Sequence, residues 1–566
     1  MNTDKKHIRN LAKICAIKGI SKVVLSPGSR CAPLVIAFNR TEGIDCISVV
    51  DERSAAFYAL GLAQQTLEPV ALVCTSGSAA LNYAPAIAEA YYQKIPLLIL
   101  TADRPNEWID QGENQSIQQF EMYKNYIKKS FQLPTQIAEE KDLWFSDRIV
   151  SEAINTTKFP DFGPVHINIP LREPLYNLVK DTDKPPKVID FPRAKFSVDE
   201  HALIELKEAW NKAKKKLIVV GGQKKYFPKI EKALNSLAKD ESVIVIKESI
   251  SNVYGEDFID TIDPLVEIIN HQNLEAYTPD LILTFGGGVV SKKLKFWLRK
   301  QASPQHWHIT KSFEHWDNFQ SLSKVIQADA DYLLETLAAS GAKVVSNYKA
   351  DWKALNEKIK TYSTKYLKDL PFLDFTVFDF IIKNLPENCN LHLGNSTPVR
   401  YANLLSIAPK NTFLINSNRG VSGIDGVSST AAGASIAHPS QTTICITGDI
   451  AFMYDINALW NKNLKPNFKI ILINNNGGNI FKIIPGPDKL EELEQFFETQ
   501  QQIEVAPLAK MHGFNYYKAV DEKDLETIYK DFLTDKKAPA LLEIFTNNEL
   551  SAQGLRNYFN ELRNKF

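Results

Sequence analysis

The chain has 566 residues, which at roughly 150 residues per domain is enough for three or four domains. Hydrophobic residues make up 44% and charged residues 23% of it, a composition that is ordinary for globular proteins and excludes a largely disordered chain. The 66 Lys and Arg residues balance the 66 Asp and Glu residues, so the bulk charge favours neither nucleic acid nor an anionic membrane as a partner. Any anion that the protein binds must therefore meet a local cluster of basic side chains.

Neither the cysteines nor the apolar runs indicate secretion or membrane insertion. The six cysteines are scattered, with no CxxC pair and no zinc-ligand spacing. The N-terminal segment lacks the apolar core and the small-residue cleavage site of a signal peptide, and the longest apolar runs are far too short to span a bilayer. We therefore expect a protein that is not inserted in a membrane and that resides in the reducing cytoplasm.

Three blocks of the chain alternate short β-branched runs with helical periodicity, a pattern typical of parallel sheets flanked by helices. Two linker-like stretches separate the blocks: 181–192, which is charged and rich in proline, and 341–371, which is polar, Lys-rich and helical in pattern. We therefore predict an α/β protein with three domains over residues 1–185, 193–345 and 370–566. The predicted strands lie at 23–30, 47–50, 70–77, 96–104 and 165–170 in the first block, at 216–222, 242–246 and 281–288 in the second, and at 391–396, 413–420, 443–449, 469–478 and 540–545 in the third.

The first and third blocks repeat one strand–helix–strand module at the level of spacing. The strand that contains Thr75 is followed by a helical pattern and then by a strand that contains Thr101, and the same succession joins Thr447 to Asn474. A module used twice suggests a ligand that is gripped at opposite ends by two related domains. A chance likeness between two βαβ units is the alternative.

Two neighbouring strand ends of the third block carry side chains that suit a metal ion. Asp449 follows Gly448 at the end of one strand, and Asn475 lies 26 residues further on, at the end of the next. With a backbone carbonyl from the Gly477 turn, these groups supply three oxygen ligands, which leaves positions on a Mg²⁺ ion for a diphosphate and water. Glycine permits close backbone approach, and helix N-termini favour phosphate charge. Two turn-forming Asx residues would give the same pattern, although the duplicated module disfavours that alternative.

The Gly-Asp and Asn-Asn pairs resemble the metal–diphosphate motif of thiamine-diphosphate enzymes. A wider set of motifs resembles one family among them, the 2-succinyl-5-enolpyruvyl-6-hydroxy-3-cyclohexene-1-carboxylate synthases of menaquinone biosynthesis. These motifs run in the expected order over residues 26–481, which is most of the chain. They are SPGSRCAPL (26–34), DERSAAFYALGLA (51–63), TSGSAALN (75–82), TADRP (101–105), GENQSI (112–117), GNSTPVR (394–400), NRGVSGIDG (418–426), GDIAFMYDINAL (448–459) and NNNGGNIF (474–481).

The resemblance implies three domains in the order pyrimidine-binding, central and diphosphate-binding. In this superfamily the cofactor lies between the first domain of one subunit and the third of another, which implies a homodimer or a homotetramer. Thiamine diphosphate and Mg²⁺ or Mn²⁺ are the implied cofactors, held by Gly448, Asp449, Asn475 and Gly477. The implied reaction decarboxylates 2-oxoglutarate and adds the succinyl unit to isochorismate in a Stetter-like 1,4-addition, with release of CO2.

The resemblance also implies individual roles near the cofactor. Glu52 is the glutamate that hydrogen-bonds the aminopyrimidine ring and promotes loss of the thiazolium C2 proton, a role that requires a poorly solvated acid. Without the surrounding motif, a surface residue in the first turn of a helix would be the simpler interpretation of Glu52. Ile424 is the apolar wedge that bends the cofactor, with a core isoleucine as the alternative. Gln115 is the candidate for positioning the acceptor or relaying a proton, and Ile480 and Phe481 form an apolar wall for the acceptor ring.

Both implied substrates carry two carboxylates, so they require a local cluster of basic groups, with Arg preferred for bidentate contacts. Lys293 stands where Arg is common in the family, and Lys cannot bind a carboxylate in that way. The motifs leave open which basic side chain meets which carboxylate. The candidate substrate-binding residues are Ser29, Arg30, Arg104, Asn114, Gln115, Lys292, Lys293, Ser396, Arg400, Arg419, Ile480 and Phe481.

Two alternatives accompany this prediction. The first is another 2-oxoacid decarboxylase or carboligase of the same superfamily, for example one that acts on pyruvate; the basic cluster disfavours it, because a monocarboxylate needs fewer cations. The second is a non-catalytic regulator that binds the cofactor. The presence of Glu52, Asp449 and Asn475 disfavours that alternative.

Overall fold

Helices and parallel strands alternate along the chain. The structure is a computed structural model that describes residues 1–272, 274–301, 304–340, 344–407, 412–484, 486–501 and 503–566. Its strands form three parallel sheets, one within each predicted domain, and helices flank each sheet. The predicted α/β class is therefore confirmed.

The first sheet is parallel throughout and its two central strands are buried at every position, as expected where helices cover both faces. The strands of this domain are β1 (Asn2–Thr3), β2 (Lys22–Leu25), β3 (Asp45–Ser48), β4 (Val70–Cys74), β5 (Leu97–Asp103), β6 (Ser130–Gln132), β7 (Val165–Pro170) and β8 (Leu178–Val179). Its helices are α1 (Lys6–Ile17), α2 (Ala32–Asn39), α3 (Glu52–Thr66), α4 (Ser78–Asn82), α5 (Ala84–Gln93) and α6 (Glu140–Lys158). The sheet has the order β3-β2-β4-β5-β7-β6, and β1 pairs with β8 in a separate antiparallel ribbon.

The second sheet has five parallel strands and follows a stretch, 180–199, without helix or strand. Its strands are β9 (Lys216–Val220), β10 (Val243–Lys247), β11 (Leu281–Phe285), β12 (Gln305–Thr310) and β13 (Leu322–Gln327), in the order β10-β9-β11-β12-β13. The helices are α7 (Glu200–Lys212), α8 (Pro228–Leu237), α9 (Ile262–His271), α10 (Lys292–Arg299) and α11 (Ala330–Ala338).

The segment predicted as a second linker is helical but is not an exposed connection. Residues 341–343 of it lie outside the described residues, and α12 (Tyr348–Lys368) occupies most of the rest. Trp352 and Ile359 of α12 are fully buried, and Trp352 packs edge to face on Trp297 of α10, with ring centroids 5.9 Å apart. The polar composition of the segment did not reveal the buried face of α12, because most of its Lys side chains lie on the opposite side of the helix.

The third sheet again has six parallel strands. They are β14 (Cys389–Leu393), β15 (Thr412–Asn416), β16 (Thr443–Gly448), β17 (Phe468–Asn474), β18 (Asn515–Ala519) and β19 (Ala540–Phe545), in the order β15-β14-β16-β17-β19-β18. Its helices are α13 (Asp374–Lys383), α14 (Thr397–Leu405), α15 (Val427–Ala437), α16 (Asp449–Tyr454), α17 (Ile480–Ile483), α18 (Val505–Met511), α19 (Glu522–Thr534) and α20 (Asn548–Lys565).

The first and third sheets have the same topology. The strand order of the third reproduces that of the first, strand for strand, from β2 and β14 onwards, so the duplicated module is confirmed. The two predicted correspondences do not share one register. Thr101 lies opposite Cys74, the residue before Thr75, whereas Leu472 lies opposite Thr447. If Thr75 matches Thr447, the counterpart of Asn474 is therefore Arg104, three residues beyond Thr101. The spacing was misleading because the connection between paired residues is two residues longer in the first module.

The first and third domains share one hydrophobic core. Phe57 and Tyr58 of α3 lie in the same buried cluster as Ala431 and Ala432 of α15. The Tyr58 hydroxyl also donates a hydrogen bond to the backbone carbonyl of Ala458 at 2.5 Å. In the described part of the chain, no helix is long and apolar enough to cross a membrane.

Candidate active site

The ends of β16 and β17 bring Asp449 and Gly477 into direct contact. The two strands are neighbours, with Gly448 opposite Ile473, so the residues that follow them leave the sheet at the same edge. Oδ2 of Asp449 accepts a hydrogen bond from the backbone N–H of Gly477 at 2.8 Å. Asp449 and Asn475 are 3% and 6% exposed. The structure therefore places two of the predicted metal ligands, Asp449 and Gly477, in contact at a buried strand edge, with Asn475 two residues before Gly477.

The donor set at this point fits a hard divalent cation. Asp449 offers a carboxylate, and burial raises its pKa to about 6, while hydrogen bonds from backbone N–H groups lower it; a bound cation would favour the ionised form. The side-chain Nδ2 of Asn475 donates to Asp374 at 2.9 Å, which leaves Oδ1 as the free ligand atom. A β-carbon on Gly448 would meet nothing within 4 Å, so there is open space beside the residue that precedes Asp449.

Glycine is required in the turn that supplies the third ligand. Asn476 and Gly477 have φ values of 66° and 150°, both in the left-handed region. A β-carbon on Gly477 would lie 2.9 Å from the backbone oxygen of Glu498, and that same oxygen accepts a hydrogen bond from the N–H of Gly478 at 2.7 Å. The turn is therefore held against the backbone at Glu498, with no room for a side chain at Gly477.

Glu52 is the first residue of α3 and is half-buried. Burial raises the pKa of its carboxyl, a backbone hydrogen bond lowers it, and the negative charge of Asp51 raises it. Asp51 caps the helix by accepting from the N–H of Ser54 at 2.9 Å, and its other oxygen accepts from Nδ2 of Asn457 at 2.6 Å. The start of α3, and with it Glu52, is thus fixed against the third domain.

Arg30 and Arg104 form one basic pair on the first domain. The Arg104 guanidinium donates from Nε and Nη2 to the backbone carbonyl of Asn114, at 3.2 and 2.9 Å. Arg30 is buried and donates to the carbonyl of Leu171 at 2.9 Å. Burial and then the nearby charge of Arg104 lower the pKa of Arg30. Three predicted site residues, Arg30, Arg104 and Asn114, therefore lie together.

Arg400 and Arg419 form a second basic pair, on the third domain. Arg419 donates from Nη1 to Oδ1 of Asn395 at 2.9 Å, and Arg400 donates to the backbone carbonyl of Ser396. Burial and then the charge of Arg419 lower the pKa of Arg400. Ser396 has a φ of 75° at the start of α14, and such strain in a non-glycine residue is characteristic of functional sites.

The loop that carries Arg419 and Ile424 is clamped by a buried glutamate of the first domain. Glu89 is 1% exposed, and its carboxylate accepts from the backbone N–H groups of Gly420 at 2.6 Å and Val421 at 2.7 Å. Because ionised oxygens form strong hydrogen bonds with N–H donors, Glu89 fixes the path of this loop. Ile424 is half-buried at its far end.

Lys292 and Lys293 begin α10 in the middle domain. Lys293 pairs with Glu267, and its Nζ lies 4.4 Å above the centroid of the Phe559 ring, so its charge already has a partner within the chain. The negative charge of Asp263 is close enough to interact with Lys293 and Arg400. Lys292 is exposed. Asp263 thus feels the charge of both Lys293 and Arg400.

The remaining candidates lie in exposed or half-buried turns. Gln115 has a φ of 52°, and a β-carbon on Gly77 would lie 3.1 Å from its Cα, so the two loops touch. Ser29 is exposed, and Ile480 and Phe481 are half-buried in α17 beside the metal turn. Their placement is compatible with the predicted roles, which stay predictions.

Sequence analysis missed four buried polar residues that support these groups: Asp374, Asn395, Glu89 and Glu248. Asn395 lies within a quoted motif and could have been included on that ground. Glu248 accepts from the backbone N–H groups just before α10. Asp374, Glu89 and Glu248 lie outside every motif, and their roles depend on partners distant in sequence, so no local pattern could have found them.

A cavity of about 650 Å³ lies at the junction of the three domains. Arg419 is the one predicted site residue in its lining, which also includes Lys94, Asp161 and Lys224. This cavity is therefore distinct from the metal turn and from the Arg30 and Arg104 pair.

Family models for thiamine pyrophosphate enzymes match most of the chain. The model described as "Thiamine pyrophosphate enzyme, N-terminal TPP binding domain" matches residues 7–122, "Middle domain of thiamine pyrophosphate" matches 194–393, and "Thiamine pyrophosphate enzyme, C-terminal TPP binding domain" matches 394–544. These matches follow the order of the three sheets.

Curated relatives share the length of the chain and one name. A protein of Flavobacterium johnsoniae named "2-succinyl-5-enolpyruvyl-6-hydroxy-3-cyclohexene-1-carboxylate synthase" is 39% identical over 557 residues, covering 98% of each chain. Proteins with the same name from Flavobacterium psychrophilum and Porphyromonas gingivalis are 42% identical over 559 residues and 37% identical over 572 residues. They cover 98% of this chain and 98% and 97% of their own lengths.

Proposed function

The chain belongs to the family of 2-succinyl-5-enolpyruvyl-6-hydroxy-3-cyclohexene-1-carboxylate synthases, thiamine-diphosphate enzymes of menaquinone biosynthesis, and from this premise we propose that its substrates are 2-oxoglutarate and isochorismate. The proposed reaction removes CO2 from 2-oxoglutarate and adds the remaining succinyl unit to isochorismate in a 1,4-addition. The observation that carries this proposal is the convergence of Asp449, Asn475 and Gly477 at two neighbouring strand ends, in a chain that also presents two basic pairs.

We propose that Asp449, Oδ1 of Asn475 and the carbonyl of Gly477 hold Mg²⁺ or Mn²⁺, and through it the diphosphate. All three are hard oxygen donors, which such ions prefer. The first N–H groups of α16 follow Gly448 and add a favourable dipole for phosphate charge. When bound, thiamine diphosphate supplies the carbon centre that accepts electrons during decarboxylation.

Glu52 is the proposed proton-handling residue. Its half-buried position raises its pKa, which suits a carboxyl group that shares a proton with a ring nitrogen. Asp51 fixes the helix start through Ser54 and Asn457, so the Glu52 side chain begins from a rigid backbone position. Ile424 lies at the end of the loop that Glu89 clamps, and we propose that it shapes the cofactor.

The basic side chains are proposed to bind the substrate carboxylates. Arg30 with Arg104, and Arg400 with Arg419, each place two like charges close together. Acids of the chain also face these arginines, with Glu173 paired to Arg30 and Glu113 to Arg104. A dicarboxylate can contact two guanidinium groups at once, which favours it over a monocarboxylate. Lys293 and Arg400 both interact with the charge of Asp263, and we propose that Lys293 supports the second pair. Gln115 and Asn114 are proposed to position the acceptor beside the first pair. Ile480 and Phe481 are proposed to form an apolar wall that excludes water from the acceptor ring.

A second copy of the chain is proposed to complete the site, as a homodimer or homotetramer. Leu81 of α4 and Trp460 are each 53% exposed and lie in or next to quoted motifs, and we propose that the second copy covers them. All six cysteines are free thiols, which suits a reducing compartment, and we propose a cytoplasmic location.

The test measures isochorismate consumption and CO2 release by the purified protein with 2-oxoglutarate, thiamine diphosphate and Mg²⁺, and uses Glu52→Gln as the control. We expect turnover that requires every component and falls about 100-fold or more in the variant. Release of CO2 from pyruvate without loss of isochorismate would instead support another carboligase of the superfamily. Cofactor binding without turnover on any 2-oxoacid would support a regulator.

A further inference from the structure

A fully buried aspartate lies behind the proposed amide ligand. Asp374 has 0% exposure and is the first residue of α13. Its Oδ2 accepts a hydrogen bond from Nδ2 of Asn475 at 2.9 Å, and Nδ2 of Asn479 is 3.5 Å from the same oxygen. The side of Asn475 that faces away from the metal turn is therefore occupied by a carboxylate.

This contact determines which end of the Asn475 amide is free. An amide side chain has a donor end and an acceptor end of nearly the same shape, whereas an ionised carboxylate only accepts. With Asp374 as its neighbour, Asn475 must present Nδ2 to the carboxylate and Oδ1 to the other side. The reversed amide would place two acceptors together at Asp374 and would offer a metal ion an NH2 group, which is not a ligand.

Asp374 is itself held on both sides. Its Oδ1 accepts from Oγ1 of Thr546 at 2.5 Å, and its backbone N–H donates to Oγ of Ser551 at 3.0 Å. Thr546 follows β19, and Ser551 belongs to α20. The carboxylate is thus anchored to elements that do not supply metal ligands, so its position does not depend on the turn that it supports.

We propose that Asp374 is a positioning residue that orients the Asn475 amide so that Oδ1 faces the metal ion. This inference rests on the proposed function, because it takes Asn475 as a ligand. A contact of this kind behind a ligand typically contributes a factor of 10–100 to metal affinity. The role is distinct from catalysis, since Asp374 contacts a ligand side chain and not the substrate.

The test is a titration of the full-length protein with Mn²⁺ in the presence of thiamine diphosphate, with free Mn²⁺ quantified by electron paramagnetic resonance. Asp374→Asn removes the charge and the strict acceptor, and Asp374→Glu keeps the charge but moves the carboxylate. Asp455→Asn is the matched control, because Asp455 is another fully buried aspartate of the same domain whose carboxylate accepts from Ser429. Thermal midpoints of all variants report on folding.

We expect both Asp374 variants to bind Mn²⁺ at least about 10-fold more weakly than the wild type, and Asp455→Asn to stay within about twofold. Wild-type affinity in Asp374→Asn would overturn the proposal. If only Asp374→Glu kept the wild-type affinity, the charge of Asp374 and not its position would matter, and the proposal would also be overturned. A loss of Mn²⁺ affinity in Asp455→Asn equal to that in the Asp374 variants would overturn it as well. If Asn475→Ala bound Mn²⁺ as tightly as the wild type, the metal assignment of the proposed function would fall first, and the orienting role with it.

Discussion

Gly61 of α3 and Gly433 of α15 each face a backbone carbonyl of the other helix. A β-carbon on Gly61 would lie 2.0 Å from the oxygen of Thr430, and one on Gly433 would lie 2.1 Å from the oxygen of Tyr58. Gly61 and Gly433 are 372 residues apart, as are Tyr58 and Thr430. The two contacts are therefore one contact repeated by the pseudo-symmetry of the duplicated module, and they set how closely the first and third domains approach.

Gly61→Ala is expected to destabilise the protein by about 3 kcal/mol, because a backbone carbonyl cannot move aside as a side chain can. The change would lower the thermal midpoint measured by calorimetry. Gly554→Ala in α20 is the matched control: its β-carbon would meet the Cδ2 of Leu373 at 3.1 Å, the flexible end of a side chain, and alanine gains about 1 kcal/mol of helix propensity. Equal midpoints for the two variants would contradict the close-packing argument.

Glu89→Gln is expected to loosen the loop that carries Arg419. The carboxylate accepts from Gly420 and Val421, whereas a glutamine side chain accepts at one end only, so one buried N–H loses its partner at a cost of about 1–3 kcal/mol. We expect the KM for 2-oxoglutarate to rise by roughly 10-fold, with a smaller change in kcat. A drop in kcat with no change in KM would show that the clamp acts on another step.

The fold was predictable because its signals are local. Each buried strand is a short apolar run followed by a polar turn, and the motif at Asp449 needed only the rule that neighbouring parallel strands end at the same edge. The repeat was visible in spacing, but the register was not: it depends on which residues of β4 and β5, and of β16 and β17, lie opposite each other, and sequence spacing does not record this.

The support of the site was not predictable, because it depends on contacts between distant segments. Asp374 meets Asn475 across 101 residues, and Glu89 meets Gly420 across 331. Glu89 is the one acidic residue of α5, and Asp374 is one of two in α13. Neither helix carries a motif, and only the packing of the two helices gives each residue its partner. The burial of α12, which was predicted as part of a linker, was not predictable for the same reason. Trp352 and Ile359 belong to the core only because they pack on residues of the neighbouring domains.

Asp455→Asn is expected to make the protein relatively more stable at higher pH. Burial raises the pKa of Asp455 to about 7, although Ser429 donates to it from N–H and Oγ. The folded state therefore holds the proton more tightly than the unfolded state, so this group causes stability to fall as pH rises from about 4 to about 7. Because asparagine does not titrate, the variant does not lose stability through this group over this pH range. The thermal midpoint of the variant relative to the wild type should therefore be higher at pH 8 than at pH 5, by about 3 °C or more; a difference between variant and wild type that is independent of pH would contradict the argument.

Arg104→Lys is expected to lower kcat/KM by roughly 10–100-fold although the charge is kept. Arg104 uses two nitrogens on the Asn114 carbonyl, and an ammonium group cannot reproduce that planar geometry or a bidentate carboxylate contact. The matched control is Arg172→Lys, because Arg172 forms an exposed ion pair with Glu107, and exposed pairs contribute little to stability. The control should remain within about twofold of the wild type. Equal loss of activity in both variants would show that replacing any arginine of the first domain by lysine impairs the enzyme. The assignment of Arg104 to the substrate would then fail.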